Sequence, residues 1–170
     1  MPQHSQPRLY ATEAAIRSVG AVIKDMRGKY LLQRRDSRVD LILSDHLGLF
    51  GGGVEPGETA DAAMRRELAE ELAFRPAPAR CVWLTELVFQ PHLRGAALHH
   101  KTFYEFEVDS AEIGAFILGE GAAMEWHDTV SLAAHGVVPW DHYAILLDQR
   151  RMAWRREQAD EPTSPYRDWL

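Results

Sequence analysis

Three glutamates in the middle of the chain are the residues best suited to chemistry. Glu67, Glu70 and Glu71 are three and four residues apart, which places side chains on one side of a helix. Like charges at this spacing destabilise a helix by roughly 0.2–0.5 kcal/mol per pair, and Arg66 can relieve part of the repulsion through Glu70. Hard divalent cations prefer carboxylate oxygens, so the cluster indicates either a metal site or an ordinary solvated acidic face.

A glycine-rich turn comes directly before this helix. Residues 51–74 read GGGVEPGETADAAMRRELAEELAF, and Thr59 is suited to cap a helix that runs to about Leu72, before two prolines. A bare glycine backbone can offer a carbonyl oxygen as a further metal ligand, which favours the metal site. Apolar residues at three- and four-residue spacing predict the buried face of the helix: Ala60, Ala63, Met64 and Leu68.

The spacing across this segment resembles the signature of the Nudix hydrolases. In that signature a glycine is followed after five residues by a glutamate, and after seven more by Arg-Glu-apolar-x-Glu-Glu-x-Gly-apolar. Here Gly52, Glu58 and residues 66–74 take these places, and every charged position is kept. Phe50-Gly51 replaces the more usual Pro-Gly, and Ala73 stands where the family usually has glycine. Because that glycine closes the helix in a left-handed conformation, Ala73 predicts an altered or strained helix end.

The resemblance implies a fold and an activity. The fold is α/β, a Nudix-type α/β/α sandwich with a central mixed β-sheet. The activity is MutT-like, the Mg²⁺-dependent hydrolysis of a phosphoanhydride (pyrophosphate) bond in a nucleoside diphosphate linked to another moiety, with Mn²⁺ as a substitute metal. Nucleoside triphosphates, nucleotide sugars and ADP-ribose remain alternative substrates. A non-catalytic nucleotide-sensing module on the same fold is the alternative function.

The resemblance also implies a role for each residue of the box. The metal ligands would be the carbonyl of Gly51 and the carboxylates of Glu67, Glu70 and Glu71. Glu67 would alternatively help to deprotonate the attacking water. Arg66 would hold Glu67 in place, Glu58 would brace the loop over the helix start, and Gly52 would be structural.

One more carboxylate is expected on a loop late in the chain. Glu120 lies between two glycines, six residues before Trp126, and local propensity gives no reason for a glutamate there. In the resembled family a glutamate at about this place often supplies a further metal ligand or a base, which implies that role for Glu120. Glu125, on the edge of a predicted strand, is the alternative.

Arg34 and Arg35 end a predicted strand on the approach to the glycine loop. They are either a solvated pair or contacts for substrate phosphates, which arginine binds well. Three histidines in the connection near residue 95 lack the spacing of metal ligands, so we expect them to be solvated: His92, His99 and His100.

Composition limits the class of protein. The chain has 170 residues, 46% hydrophobic and 26% charged, with a net charge of −6. This charge argues against a nucleic-acid polymer as partner, because such binding depends on lysine and arginine. A single cysteine, Cys81, fits a reducing compartment. With no apolar leader and no membrane-length apolar run, we expect a cytoplasmic protein that is not bound to a membrane.

The sequence predicts one domain with a short segment at each end. Residues 1–14 are predicted to be a flexible arm, residues 15–158 a single Nudix hydrolase domain, and residues 159–170 a C-terminal tail. Tyr166 and Trp169 in the tail are expected to dock on the same domain or on a second subunit, so a homodimer is one alternative. The predicted strands are residues 16–24, 30–34, 47–50, 81–90, 101–108 and 124–126. Helices are predicted over residues 128–135 and 143–158, and Asp141 is expected to cap the second of them.

Overall fold

The computed structural model describes residues 15–37, 43–91 and 97–160, the last three without their side chains. The predicted arm at residues 1–14 and nearly all of the predicted tail lie outside the described residues, as does His92.

Six strands form one mixed sheet. They are β1 (Ile16–Asp25), β2 (Tyr30–Arg34), β3 (Leu47–Gly48), β4 (Val82–Phe89), β5 (His99–Val108) and β6 (Ala123–His127). The order is β3-β2-β1-β5-β4, and β6 pairs along β2. Strands β1 and β5 are parallel, whereas the pairs β1–β2, β2–β3, β2–β6 and β4–β5 are antiparallel. The predicted mixed sheet is therefore confirmed.

The hairpin between β1 and β2 follows from its turn residues. The Asp25 carboxylate accepts hydrogen bonds from the backbone N–H groups of Arg27 (2.9 Å) and Lys29 (2.8 Å). Gly28 supplies the positive φ of 80° that closes the turn. This hairpin fixes the position of β2, whose far end reaches the candidate site.

The helices cover both faces of the sheet. They are α1 (Ala60–Leu72), α2 (Ser110–Ala115), α3 (Thr129–Leu132) and α4 (Pro139–Asp160), with a short 3-10 turn at Pro78–Arg80. On one face, α1 buries Met64 and Leu68 against Val19 and Ile23 of β1. On the other face, α4 buries Ala144 and Ile145 in a second cluster, which includes Val22 and Leu32. Alternate residues of β1 and β2 thus serve two cores, as in an α/β/α sandwich.

Helix α1 begins and ends where the sequence predicts. The Thr59 side chain caps it by accepting a hydrogen bond from the Ala62 N–H at 3.2 Å. Ala73 closes it in the left-handed conformation, with φ 53° and ψ 19°. A residue other than glycine therefore occupies a conformation that favours glycine.

The start of α4 differs from the prediction that Asp141 caps it. The helix begins at Pro139, and Asp141 lies in its first turn, almost fully buried. Its carboxylate accepts hydrogen bonds from the Leu49 N–H at 3.0 Å and from Lys101 Nζ at 2.7 Å. These tertiary partners, which local sequence does not reveal, explain why Asp141 stands there.

The start of α2 is fixed by a reciprocal capping box between Asp109 and Glu112. None of the helices in the described part of the chain is both long enough and apolar enough to cross a membrane.

Candidate active site

Arg66 connects the glycine-rich turn to the carboxylates of α1. Its guanidinium donates to both Glu58 oxygens (3.2 and 3.0 Å) and to the Gly53 carbonyl (2.9 Å). It also donates to Glu67 at 2.9 Å and to Glu70 at 3.3 Å. The hydrogen-bonded ion pair between Arg66 and Glu58 raises the pKa of the Arg66 guanidinium. It also holds the pKa of the Glu58 carboxyl below its usual range. The loop and the helix are therefore joined by one charged group.

Glu67 lies flat against the backbone of Gly52. A Cβ at Gly52 would meet the carboxyl carbon of Glu67 at 2.6 Å, so a larger residue there would displace the Glu67 carboxylate. Burial raises the pKa of Glu67, opposed by the hydrogen bond from Arg66. Arg66 donates to Oε1, which leaves Oε2 as the oxygen directed away from the arginine.

Glu71 is the buried carboxylate of the site, with a relative exposure of 4%. Its Oε2 accepts the Gly51 N–H at 2.6 Å, and its Oε1 accepts Gln33 Nε2 at 3.2 Å. Burial raises the pKa of Glu71 to about 7, and the negative charges of Glu67 and Glu120 add to the rise. A cation at this place would remove that penalty on the ionised form.

Glu70 does not share the environment of Glu71. Its side chain is 58% exposed and contacts Arg66, so the three glutamates do not form one uniform polar face as the spacing suggested. The reason is geometric, because consecutive residues of a helix are turned by about 100° from each other. Glu71 points into the protein, whereas Glu70 points to solvent.

The loop that carries Glu120 is seated on the end of α1. The Gly119 N–H donates to the Glu71 carbonyl at 2.7 Å. A Cβ at Gly119 would overlap the Glu70 carbonyl oxygen, so only glycine allows this approach. Glu120 thereby lines a cavity of about 200 Å³ together with Gly51 and Glu71.

Glu125, the alternative to Glu120, has different partners. Its carboxylate accepts two hydrogen bonds from Arg34, at 2.6 and 3.0 Å, and contacts His127 Nε2 at 3.0 Å. Arg34 also donates to the Asp45 carbonyl at 3.2 Å. The hydrogen bonds from Arg34, followed by that from His127, lower the pKa of Glu125. Arg34 and Glu125 thus engage each other beside the cavity.

Arg35 differs from Arg34 in its surroundings. It lines the same cavity as Glu71 and Glu120, and its Nε is buried without a hydrogen-bond partner in the described structure. A buried guanidinium donor without a partner is a place where an anion can bind. Of the two predicted phosphate contacts, Arg35 is the one that lines the cavity with Glu71 and Glu120.

Gln33 is a site residue that the sequence reading missed. It lies on β2, lines the cavity and donates to Glu71. Leu31, two positions earlier, packs in the core under α1. Because alternate strand residues share a face, a polar residue at position 33 points toward the catalytic helix. That alternation was the available signal.

His99 and His100 are not part of this site. His100 contacts Glu86 at 2.9 Å, and the His99 ring stacks on Phe89 with centroids 5.3 Å apart. Both are half-buried by these partners rather than fully solvated.

The donor set suits a hard cation. Within the described ranges, no three carboxylate, imidazole or thiol groups form a preformed metal cage. Mg²⁺ does not need one, because it keeps several waters and is commonly bound by one or two carboxylates together with substrate phosphates. Glu71, Glu120 and the backbone of Gly51 offer only oxygen ligands around one cavity, and Glu71 is buried against like charge. The residues present therefore fit Mg²⁺.

Comparison with known families decides the classification. The model of the NUDIX domain matches residues 15–148. The chain belongs to the Nudix family. No curated protein sequence matches this chain.

Solved Nudix structures share the fold of the chain at low sequence identity. The MutT protein of Methanosarcina mazei Go1 is 20% identical, with a TM-score of 0.63, and the match covers 83% of this chain and 99% of that one. The NUDIX domain of Shewanella oneidensis NrtR, solved with ADP ribose, is 17% identical at a TM-score of 0.67, covering 88% and 94%. The E. coli dihydroneopterin triphosphate pyrophosphohydrolase is 21% identical at 0.59, covering 78% and 95%.

Proposed function

We propose that this Nudix protein is a Mg²⁺-dependent pyrophosphohydrolase. It would cleave a phosphoanhydride bond in a nucleoside diphosphate linked to another moiety. The observation that carries the proposal is the cavity lined by Glu71, Glu120, Gly51 and Arg35, which brings oxygen ligands together with a guanidinium group. On the basis of its composition, we propose a small-molecule substrate and a cytoplasmic location.

Glu71 is the leading candidate for a direct metal ligand, because it is buried beside other carboxylates and its hydrogen-bond partners among the described residues, Gly51 and Gln33, are uncharged. Glu120 and the Gly51 carbonyl are the further candidates in the same cavity. Glu67 and Glu70 would contact the metal through bridging water molecules, because both side chains already contact Arg66. The chemistry that Mg²⁺ supplies in such sites is neutralisation of phosphate charge and activation of water.

The chain's own residues have three tasks in this mechanism. Arg35 would bind a phosphate oxygen of the substrate through its guanidinium group, because this residue lines the cavity with Glu71 and Glu120. Glu67 would accept a proton from the attacking water at Oε2, which its raised pKa favours at neutral pH. Arg66 would keep Glu67 in place through Oε1, and Glu58 would keep Arg66 in place.

The substrate class follows from chemistry that the family shares. One structural neighbour was solved with bound ADP ribose, and another is a dihydroneopterin triphosphate pyrophosphohydrolase. Both compounds contain a pyrophosphate linkage attached to a larger organic group. We infer the same linkage for the substrate of this chain.

The test is phosphate release with Mg²⁺ and a coupling phosphatase, across nucleoside triphosphates, nucleotide sugars, ADP-ribose and dinucleoside polyphosphates. We expect turnover of one class, which Glu71→Gln should reduce at least a hundredfold without loss of the folded state, in keeping with removal of a catalytic metal ligand. Equal turnover by wild type and Glu71→Gln would refute the assignment of Glu71.

The alternative function is nucleotide sensing without turnover. It is favoured by one observation, the structural likeness to a NUDIX domain solved with bound ADP ribose. Binding of a nucleotide that is measurable by calorimetry, without phosphate release from any compound in the panel, would support sensing over hydrolysis.

A further inference from the structure

We propose that Gln33 is a positioning residue, which orients the Glu71 carboxylate for metal binding and joins it to the loop that carries Glu120. This inference rests on the proposed function, because it assumes that Glu71 is a metal ligand. It concerns a strand residue outside the catalytic box.

The first observation is that both oxygens of Glu71 are held from opposite sides. Gly51 N–H donates to Oε2 at 2.6 Å, and Gln33 Nε2 donates to Oε1 at 3.2 Å. One donor is backbone and cannot move without the loop. The other is the Gln33 side chain, whose amide therefore determines how the carboxylate is rotated about its last bond.

The second observation is that Gln33 also contacts the loop of Glu120. A Cβ at Gly121 would lie 2.5 Å from Gln33 Oε1, so the Gly121 backbone is packed directly on the amide. The N–H of Gln33's amide thus faces Glu71 while its oxygen faces the Gly119–Gly121 loop. One side chain is wedged between the two elements that carry the candidate ligands.

The third observation is that β2 holds Gln33 rigidly. Gln33 pairs with Gly48 of β3 on one side and with Met124 of β6 on the other. A strand paired on both edges is a firm base for a side chain that must hold another in one orientation.

Orientation of a ligand by a hydrogen-bonding neighbour has a known effect on metal affinity. Removing such a partner commonly weakens metal binding 10–100-fold. We therefore expect loss of the Gln33 amide to weaken metal binding without unfolding the protein, since the neighbouring Leu31 and Leu32 remain packed in the two cores.

The experiment measures Mn²⁺ binding to the full chain by the loss of the free-ion EPR signal, without substrate. The variant is Gln33→Met, which keeps the length of the side chain and removes only the amide. The matched control is Gln149→Met on α4, which makes the same change at a half-buried glutamine away from the site. The melting temperature of each protein is measured in the presence of a chelator.

We expect Gln33→Met to raise the Kd for Mn²⁺ by about tenfold or more, with a metal-free melting temperature close to that of wild type. Gln149→Met should leave the Kd unchanged. If Gln33→Met does not fold, Gln33→Asn replaces it, because its shorter side chain keeps an amide that no longer reaches Glu71, and the same rise in Kd is expected.

An unchanged Kd in the folded Gln33 variant would overturn the role of Gln33 while leaving the metal site intact. A wild-type protein that binds no Mn²⁺, either alone or with imidodiphosphate added to supply phosphate oxygens, would instead overturn the metal site and the role of Gln33 together. The two failures are therefore distinguished by the wild-type titration alone.

Discussion

Arg34 and Glu125 form a two-point ion pair, in which Nε donates to Oε1 at 2.6 Å and Nη2 donates to Oε2 at 3.0 Å. The pair joins the end of β2 to β6, which lie side by side in the sheet. The sequence offered Arg34 as a contact for substrate phosphates and Glu125 as an alternative metal ligand, but in the structure the two side chains bind each other. The neighbouring Arg35 lines the cavity with Glu71 and Glu120, and it is the proposed contact for an incoming anion.

This arrangement predicts different results for the two arginines. Arg35→Met should raise KM for the substrate about tenfold or more, because a hydrogen bond to a charged group contributes about 1.5–3 kcal/mol and about 1.4 kcal/mol is tenfold in affinity. Arg34→Met should mainly lower the free energy of unfolding. Steady-state kinetics and urea denaturation of both variants make the comparison. A larger KM effect at Arg34 than at Arg35 would contradict the assignment.

The same ion pair predicts a pH dependence of stability. Arg34, and then His127, holds the pKa of Glu125 below its ordinary value of 4.5. A carboxyl whose pKa is lower in the folded state stabilises the protein above the unfolded-state pKa, and this contribution is lost as pH falls through the folded-state pKa. Wild type should therefore lose stability on acidification below about pH 4.5 more steeply than Glu125→Gln.

Urea denaturation of the two proteins from about pH 6 to about pH 3 measures the difference in slope. Parallel curves would mean that Glu125 titrates alike in the folded and unfolded states. The expected size of the effect is modest, because the Glu125 side chain is 28% exposed and solvent screens the pair.

We predict that Gly119 is required for the Glu120 loop to pack against the end of α1. Gly119→Ala would place a methyl group on the Glu70 carbonyl oxygen, so the loop must move away from α1. Overpacking of this kind destabilises by about 1–3 kcal/mol, and we expect a fall in kcat as Glu120 shifts. Gly114→Ala on α2 is the control, because no atom lies within 4 Å of its Cβ position. Equal kcat in the two variants would show that the loop position does not matter.

We predict that replacing Ala73 by glycine stabilises the protein. A residue other than glycine in the left-handed conformation costs about 1–2 kcal/mol, and the greater freedom of glycine in the unfolded chain offsets about 0.4–1 kcal/mol of the gain. Ala73→Gly should therefore raise the free energy of unfolding by about 0.5–1 kcal/mol. Ala69→Gly, inside the same helix, should lower it by about 1 kcal/mol. Thermal melts of the pair give the two signs, and a loss of stability in both would reject the strain at Ala73.

Much of the fold could be predicted from the sequence because its signals are local. The strand Tyr30–Arg34 has the predicted bounds, since Asp25 and Gly28 define the turn before it and its apolar run is short. The helix from Thr59 to Leu72 follows from a cap, an apolar period and the prolines beyond. The residues of the predicted box all lie within this one stretch, so they could be named from the sequence.

The rest of the candidate site depends on contacts between residues far apart in the chain. Gln33 meets Glu71, Arg34 meets Glu125, and Leu49 meets Asp141 only after the sheet has formed. Spacing along a helix gives the direction of a side chain but not its depth, which is why Glu70 and Glu71 were treated alike. Their different burial is set by the Gly51 loop and β2, which pack on one side of α1 only.

The parallel pairing of β1 with β5 has a consequence for how the protein is made. Ile16 pairs with His99 and Asp25 with Val108, so the two central strands enclose the whole box, the catalytic helix and β4 in one long loop of chain. Closing such a loop is slow, because its entropy is lost before the distant contacts form. During synthesis, the core beneath the apolar face of α1 cannot be completed until β5 has left the ribosome. A nascent chain that stalls before Val108 would lack the part of the core around Met64 and Leu68 that β5 supplies, and would be a target for chaperones or proteases.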